Sequence, residues 1–224
     1  MSQKNALIAG ATGLTGKELV KILLDHPAYE KICVFVRRPL DIEHPKLEQV
    51  RVDFNRLDDY KEYFKVDEVF CCLGTTIKKA GSQKAFRRVD YEFPTALGTL
   101  AKSAGAQKFL VISAMGADSR SNIFYNRVKG QLEDRLKKLE LPALHIFRPS
   151  LLLGDRQEFR LGEKAASLLA PVFSPLLRGS MQKYKPIQAE QVAQAMCTAA
   201  QSYSGGVAIH LSDEIAEMAL SANL

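Results

Sequence analysis

Four cysteines and four histidines are all that 224 residues offer as soft metal ligands, and tryptophan is absent. Cys33, Cys71, Cys72 and Cys197 form no C-x-x-C pair, which argues against a zinc ribbon, a redox dithiol or a disulfide framework. Cys71 and Cys72 are neighbours in an apolar run that reads as a strand, so they are expected on opposite faces. Such thiols fit burial in a reducing compartment. His26, His44, His145 and His210 are dispersed, and no metal is expected. Long hydrophobic runs are missing too. The longest uncharged stretch, Gln191 to Ser212, is studded with Gln, Ser and Gly, while the more apolar Ala165–Leu177 is broken by Pro171 and Pro175. Neither meets the requirement of about 20 apolar residues for a membrane span. Met1 to Lys4 lead straight into the first apolar run without the apolar core of a signal peptide, so a soluble, cytoplasmic protein is expected.

A strong charge imbalance is absent as well: Lys and Arg outnumber Asp and Glu by 31 to 25, for a net charge of +6. The excess is scattered. Its densest part, Lys78, Lys79, Lys84, Arg87 and Arg88, has only Phe86 interleaved and reads as a solvated face, so no nucleic-acid partner is expected. With 46% hydrophobic residues the chain can bury roughly 70% of its unfolded surface, enough for one core, and residues 1–224 are read as a single domain.

What is present is a glycine-punctuated turn, Gly10-Ala11-Thr12-Gly13-Leu14-Thr15-Gly16, between the apolar run Asn5–Ala9 and a helical pattern of Leu19, Val20, Leu23 and Leu24. Strand, turn and helix of this kind hold a pyrophosphate, because backbone can approach closely and the helix N–H groups face the anion. Gly10, Thr12, Gly13, Leu14, Thr15 and Gly16 are therefore expected to bind the phosphates of a dinucleotide. Apolar, β-branched runs recur at 31–36, 49–52, 68–73, 108–112, 143–147 and 207–211, with helical patterns near 14–25, 57–64, 91–104, 121–140 and 189–202. This alternation predicts an α/β Rossmann-type fold: a doubly wound parallel sheet of order 3-2-1-4-5-6 plus a seventh strand, with helices on both faces and a small C-terminal substrate region at 151–185. In that topology the loop after the fourth strand, Leu73-Gly74-Thr75, faces the glycine turn across the ligand crevice. Within the substrate region, Ala165–Leu177 reads as a bent flap that would close over the nicotinamide end.

Arg37 and Arg38 arrive about 20 residues beyond the last motif glycine, where NAD-binding sites carry an acidic residue and a cation accommodates a 2′-phosphate. NADP(H) is the expected cofactor. Asp53, after the third strand, reads either as an acceptor for the adenine amine or as a loop carboxylate. Tyr125 and Lys129 share one helical face after the fifth strand, which Ser113 ends. A phenol with a reference pKa of about 10 needs a neighbouring ammonium to work as an acid–base group near neutrality. Lys129 supplies that charge and can also grip the nicotinamide ribose, and Ser113 would hydrogen-bond the substrate oxygen.

With these features the chain resembles an atypical short-chain dehydrogenase/reductase. Phe70-Cys71-Cys72-Leu73-Gly74-Thr75-Thr76, Lys79-Ala80-Gly81, Gly116-Ala117-Asp118, Val128-Lys129-Gly130, Phe147-Arg148-Pro149 and Asp155-Arg156-Gln157-Glu158 further resemble the Tat-interacting-protein oxidoreductase family, over roughly residues 5 to 163. The resemblance implies a Rossmann-fold NADPH-binding protein in which Arg148-Pro149 leads into the substrate region, with Pro149 beside the cofactor. Two departures stand out. Asp90 occupies the place where the superfamily often orders a relay water with asparagine, and Cys72-Leu73-Gly74 gives a more apolar nicotinamide wall. The expected activity is hydride transfer from NADPH to a small or apolar carbonyl compound. The alternative is an NADPH-binding regulator that docks a protein partner or forms a homodimer without turnover.

Overall fold

The computed structural model describes residues 3–154, 184–202 and 205–221. Ala165–Leu177, with the expected flap, lies outside them. Each run expected as a strand forms one: β1 (Lys4–Ala9), β2 (Tyr29–Val36), β3 (Leu47–Arg51), β4 (Glu68–Cys71), β5 (Lys108–Ile112) and β6 (Ala143–Arg148). Two short strands, β7 (Leu152–Leu153) and β8 (Ile187–Gln188), pair with each other before β9 (Gly206–Leu211) rejoins the main sheet. That sheet has seven strands in the order β3-β2-β1-β4-β5-β6-β9, and every pairing is parallel. The doubly wound, Rossmann-like arrangement is thus the observed one.

Successive strand residues feed opposite cores, as strand geometry requires. Ile8, Val34, Phe70, Leu110 and Phe147 pack on one face with Leu19, Val20 and Leu23 of α1 (Leu14–Asp25). Leu7, Phe35, Val69, Phe109 and Ile146 pack on the other. Cys71 and Cys72 divide between the two faces as expected, and burial raises the pKa of Cys71 to about 12. The expected helix at 57–64 is a 3-10 segment, Phe54–Phe64, broken at Arg56 and Tyr60, where φ/ψ leave the helical region. Between β4 and β5 come the short helices α2 (Ile77–Ala80) and α3 (Gln83–Arg87), then a π turn (Arg88–Glu92) running into α4 (Phe93–Ala104). The helix expected at 121–140 is shorter: α5 spans Phe124–Lys137. Asp118 and Ser121 side chains accept from the Arg120 and Ile123 N–H groups, holding the preceding residues in turns, and Glu140 has a φ of 51° beyond the other end. The first core is completed by α6 (Ala189–Gln201), which packs against α1, and by α7 (Ser212–Ser221), a helix the sequence pattern did not suggest.

At the starts of the strands, lysines tie the sheet to the C-terminal end of α6. Lys4 Nζ donates to Glu68 Oε1 at 2.8 Å, to the Ala200 carbonyl at 3.0 Å and to Gln201 Oε1 at 3.1 Å. Lys108 Nζ donates to the same Ala200 carbonyl at 2.5 Å and to that of Ser202. Cations at a helix C-terminus complement its negative end. Tyr29 completes the cluster by donating to Glu68 Oε2 at 2.5 Å, and burial, then Glu68, pushes the pKa of its phenol well up. Nearer the sheet edge, β6 and β9 unite two histidines far apart in sequence: His145 Nδ1 lies 3.0 Å from His210 Nε2, with the rings stacked. Burial, then His210 and Lys108, lowers the pKa of His145 to about 4.

Candidate functional site

At the C-terminal ends of β1 and β4 the two glycine-marked loops meet. Gly10 has a φ of 92°, and a Cβ there would lie 2.6 Å from the Cys72 carbonyl carbon, so only glycine lets the loops approach. A Cβ on Gly16 would lie 2.1 Å from the Gly10 carbonyl oxygen, which presses the start of α1 against the turn. Gly13 is the N-cap, makes no side-chain cap, and is followed by no acidic residue in the first turn. The positive end of α1 is therefore open to an anion. Thr15, in that same turn, is 4% exposed and its Oγ1 is buried without a hydrogen-bond partner. An orphan hydroxyl beside uncapped helix N–H groups fits a dinucleotide pyrophosphate.

From this turn a cavity of about 370 Å³ extends along the strand ends. It is lined by Gly13, Leu14 and Thr15 of the glycine turn, by Cys72, Leu73 and Gly74 after β4, by Asp90 of the π turn, and by Ile112, Ser113, Ala114, Met115, Tyr125 and Lys129. Pro149, Ser150, Leu151, Leu152 and Tyr184 also line it, which puts Pro149, expected beside the cofactor, at the cavity wall. A larger hollow, about 470 Å³, lies by Asn5, Glu30 and Pro45–Glu48, away from the glycine turn. It has none of the phosphate-binding geometry.

Tyr125 and Lys129 come together as their spacing requires. The phenol ring packs on Phe86, and Lys129, 3% exposed, reaches Asp90 Oδ1 at 2.8 Å and the Ile112 carbonyl at 3.5 Å. Burial works against the ammonium, but Asp90 and Tyr125 more than offset it and hold the Lys129 pKa above that of an ordinary lysine. Asp90, 1% exposed, accepts from the Thr75 N–H at 2.9 Å with its other oxygen. Thr75, expected at the cofactor, is not among the residues lining the cavity; its N–H is engaged by Asp90.

Ser113 departs from expectation. It stands at the cavity wall, but its hydroxyl donates to Glu133 Oε1 at 2.6 Å instead of being free for a substrate oxygen. Glu133, 1% exposed, also accepts from Arg148 Nε at 2.9 Å and Nη2 at 2.5 Å. With both carboxylate oxygens accepting from a guanidinium, the proton in the short Ser113 contact belongs to the serine. The Glu133 hydrogen bond, opposed by partial burial, raises the pKa of Arg148 in turn. Glu133 was missed from sequence, although it follows Lys129 by one further helical repeat on the same face of α5. Gly130 lies between them, and a Cβ there would sit 2.1 Å from the Ser119 nitrogen, which explains why the Gly116-Ala117-Asp118 and Val128-Lys129-Gly130 motifs occur together.

Arg37 and Arg38 are exposed just past the end of β2. Thr12 is exposed at the tip of the glycine turn. Asp53 is also exposed, and its Oδ1 caps the 3-10 segment by accepting from Asn55 N at 3.0 Å and Nδ2 at 2.8 Å. The basic stretch is not a uniformly free face: Arg87 donates to Gln131 Oε1 at 2.5 Å and sits over the Tyr91 ring, while Arg88 donates to Asn55 Oδ1. Among the described residues no three His, Cys, Asp or Glu side chains could together hold a metal, and no helix is long and apolar enough to cross a membrane.

Residues 10–166, which hold the glycine turn and the Tyr125–Lys129 pair, match the family described as NAD(P)H-binding. The chain belongs to this family. Protein HTATIP2 of Rattus norvegicus is 41% identical over 73% of the chain and 69% of its own length. Protein FMP52, mitochondrial, of Debaryomyces hansenii is 31% identical over 94% of the chain and 88% of its own. The resemblance read from the motifs holds. In fold, a crystal structure of the Bordetella bronchiseptica enzyme WbmH in complex with NAD+ superposes with a TM-score of 0.72 at 16% identity, covering 94% of this chain and 76% of that one.

Proposed function

We propose that this NAD(P)H-binding protein is an NADPH-dependent oxidoreductase that reduces a small or apolar carbonyl compound, with Tyr125 as proton donor. One observation carries the reading: the phenol of Tyr125 and the ammonium of Lys129 line the same cavity as the phosphate-binding turn. NADPH would supply the hydride. Tyr125 holds the proton destined for the reacting oxygen, Lys129 orients phenol and ribose, and Leu73, Met115 and Leu151 keep the substrate end apolar. Ser113 serves here as a fixed wall, since its O–H donates to Glu133.

Arg37 and Arg38 support NADPH over NADH, because a guanidinium beside a 2′-phosphate adds a charge-assisted contact. Calorimetric titration is expected to show a preference of about 1.5–3 kcal/mol, and Arg37→Ala with Arg38→Ala removes it. Equal affinity for the two dinucleotides in the parent protein sinks the NADPH assignment.

The decisive test follows oxidation of NADPH against a panel of carbonyl compounds. Tyr125→Phe is expected to lower turnover about a hundredfold or more while NADPH binding stays within a few-fold. Lys129→Ala weakens both. NADPH binding with no turnover of any compound, or turnover indifferent to Tyr125→Phe, transfers the reading to a cofactor-binding regulator. Cell fractionation tests the expected cytoplasmic location, since FMP52 relatives are named mitochondrial.

A further inference from the structure

Asp90 is placed where a buried carboxylate has no ordinary reason to be. It sits on the π turn, a widened helical turn that often marks functional sites, and it is one of the few charged residues in the core. Burying an ion pair is a poor way to gain stability, because the desolvation penalty can match the attraction. Its geometry is more informative. One oxygen meets Lys129 Nζ at 2.8 Å and the other takes the Thr75 N–H at 2.9 Å, so Asp90, itself at the cavity wall, joins the helix that carries Lys129 to the backbone after β4.

We propose that Asp90 is a positioning residue for the nicotinamide end of the crevice: it fixes the Lys129 ammonium with one oxygen and the backbone after β4 with the other. The proposal rests on the dinucleotide reading given above and names what sets its geometry. Lys129 has three N–H donors; one is held by Asp90 and another lies 3.5 Å from the Ile112 carbonyl. The lysine therefore enters the cavity in a set direction instead of sweeping it. The groups facing it are Asp90 from the π turn, Tyr125 from its own helix and Cys71 from β4. Of these, Asp90 makes the ion pair, so Asp90 also keeps the buried ammonium charged.

Lysine side-chain NMR titration, assigned with Lys129→Met, tests this without cofactor. In the unmodified protein Lys129 should titrate above an ordinary lysine, and in Asp90→Asn burial is no longer offset and its midpoint should fall by about one pH unit or more. Thr75 amide exchange separates the two contacts: about tenfold faster in Asp90→Ala, but nearly unchanged in Asp90→Asn, whose amide oxygen can still accept. NADPH affinity of Asp90→Asn should decline with rising pH about one unit or more earlier than that of the parent, in step with the Lys129 midpoint, a response that mere loss of stability would not give. A parent Lys129 that titrates below an ordinary lysine overturns the proposal, as does an Asp90→Asn protein with an unmoved Lys129. If Asp90→Asn does not fold, the parent titration still decides. Failure of the parent to bind NADPH sinks the dinucleotide reading alone, since the lysine and amide measurements contain none.

Discussion

Glu133 holds three pieces of the molecule at once: Ser113 at the end of β5, Arg148 at the end of β6, and its own helix α5. Glu133→Ala would leave a guanidinium without its carboxylate and a serine without its acceptor. A stability loss of about 3 kcal/mol is expected in urea unfolding, toward the low end for a buried pair because the Arg148 side chain keeps 23% exposure. At this scale the sequence was legible where chemistry follows local spacing. Tyr125 and Lys129 lie one helical repeat apart, and the glycine turn is a contiguous word. It was not legible where a side chain's direction depends on a partner far along the chain. Nothing near Ser113 says that its hydroxyl turns to a residue 20 positions later, and nothing near Asp90 names Lys129.

Among the elements, α5 is pressed closely against its surroundings. Gly130→Ala would improve helix propensity by about 1 kcal/mol, but the added methyl would lie 2.1 Å from Ser119 N and 2.2 Å from the Asp118 carbonyl carbon. The collision wins. Calorimetric melting should show a loss of about 3 kcal/mol or more, with cofactor binding impaired because the helix carrying Lys129 is displaced. Gly81→Ala is the contrast: φ is +80° but a Cβ there meets nothing within 4 Å, so about 1 kcal/mol is expected. Strands were the most legible elements, since continuous apolar runs such as Phe109–Ile112 have no other use in a chain of this size. Helix ends were less so. Asp118, Ser121 and Asp53 bind nearby backbone N–H groups and thereby set where turns stop and helices begin, a local competition that hydrophobic period does not register.

For the molecule as a whole, acid is the predicted weakness. The folded pKa of His145 is about 4 against an ordinary 6.5, so between these values the unfolded chain binds the extra proton. Its stabilising effect is complete above pH 6.5 and is lost as pH falls toward 4. Unfolding free energies from urea titration at pH 7 and pH 4.5 should differ by about 2 kcal/mol more in the parent than in His145→Leu. A parent and variant with the same acid response would remove His145 as the cause. The strand ends opposite the crevice behave differently. There Lys4, Glu68 and Lys108 join the sheet to α6, and all three stand at the first residue of their strands. A strand has two ends, and in this chain one end carries the joinery while the other carries the cavity. Substitutions at Leu73, Met115 or Leu151 can therefore re-line the cavity over the same undisturbed foundation, so that lining and frame are free to vary independently.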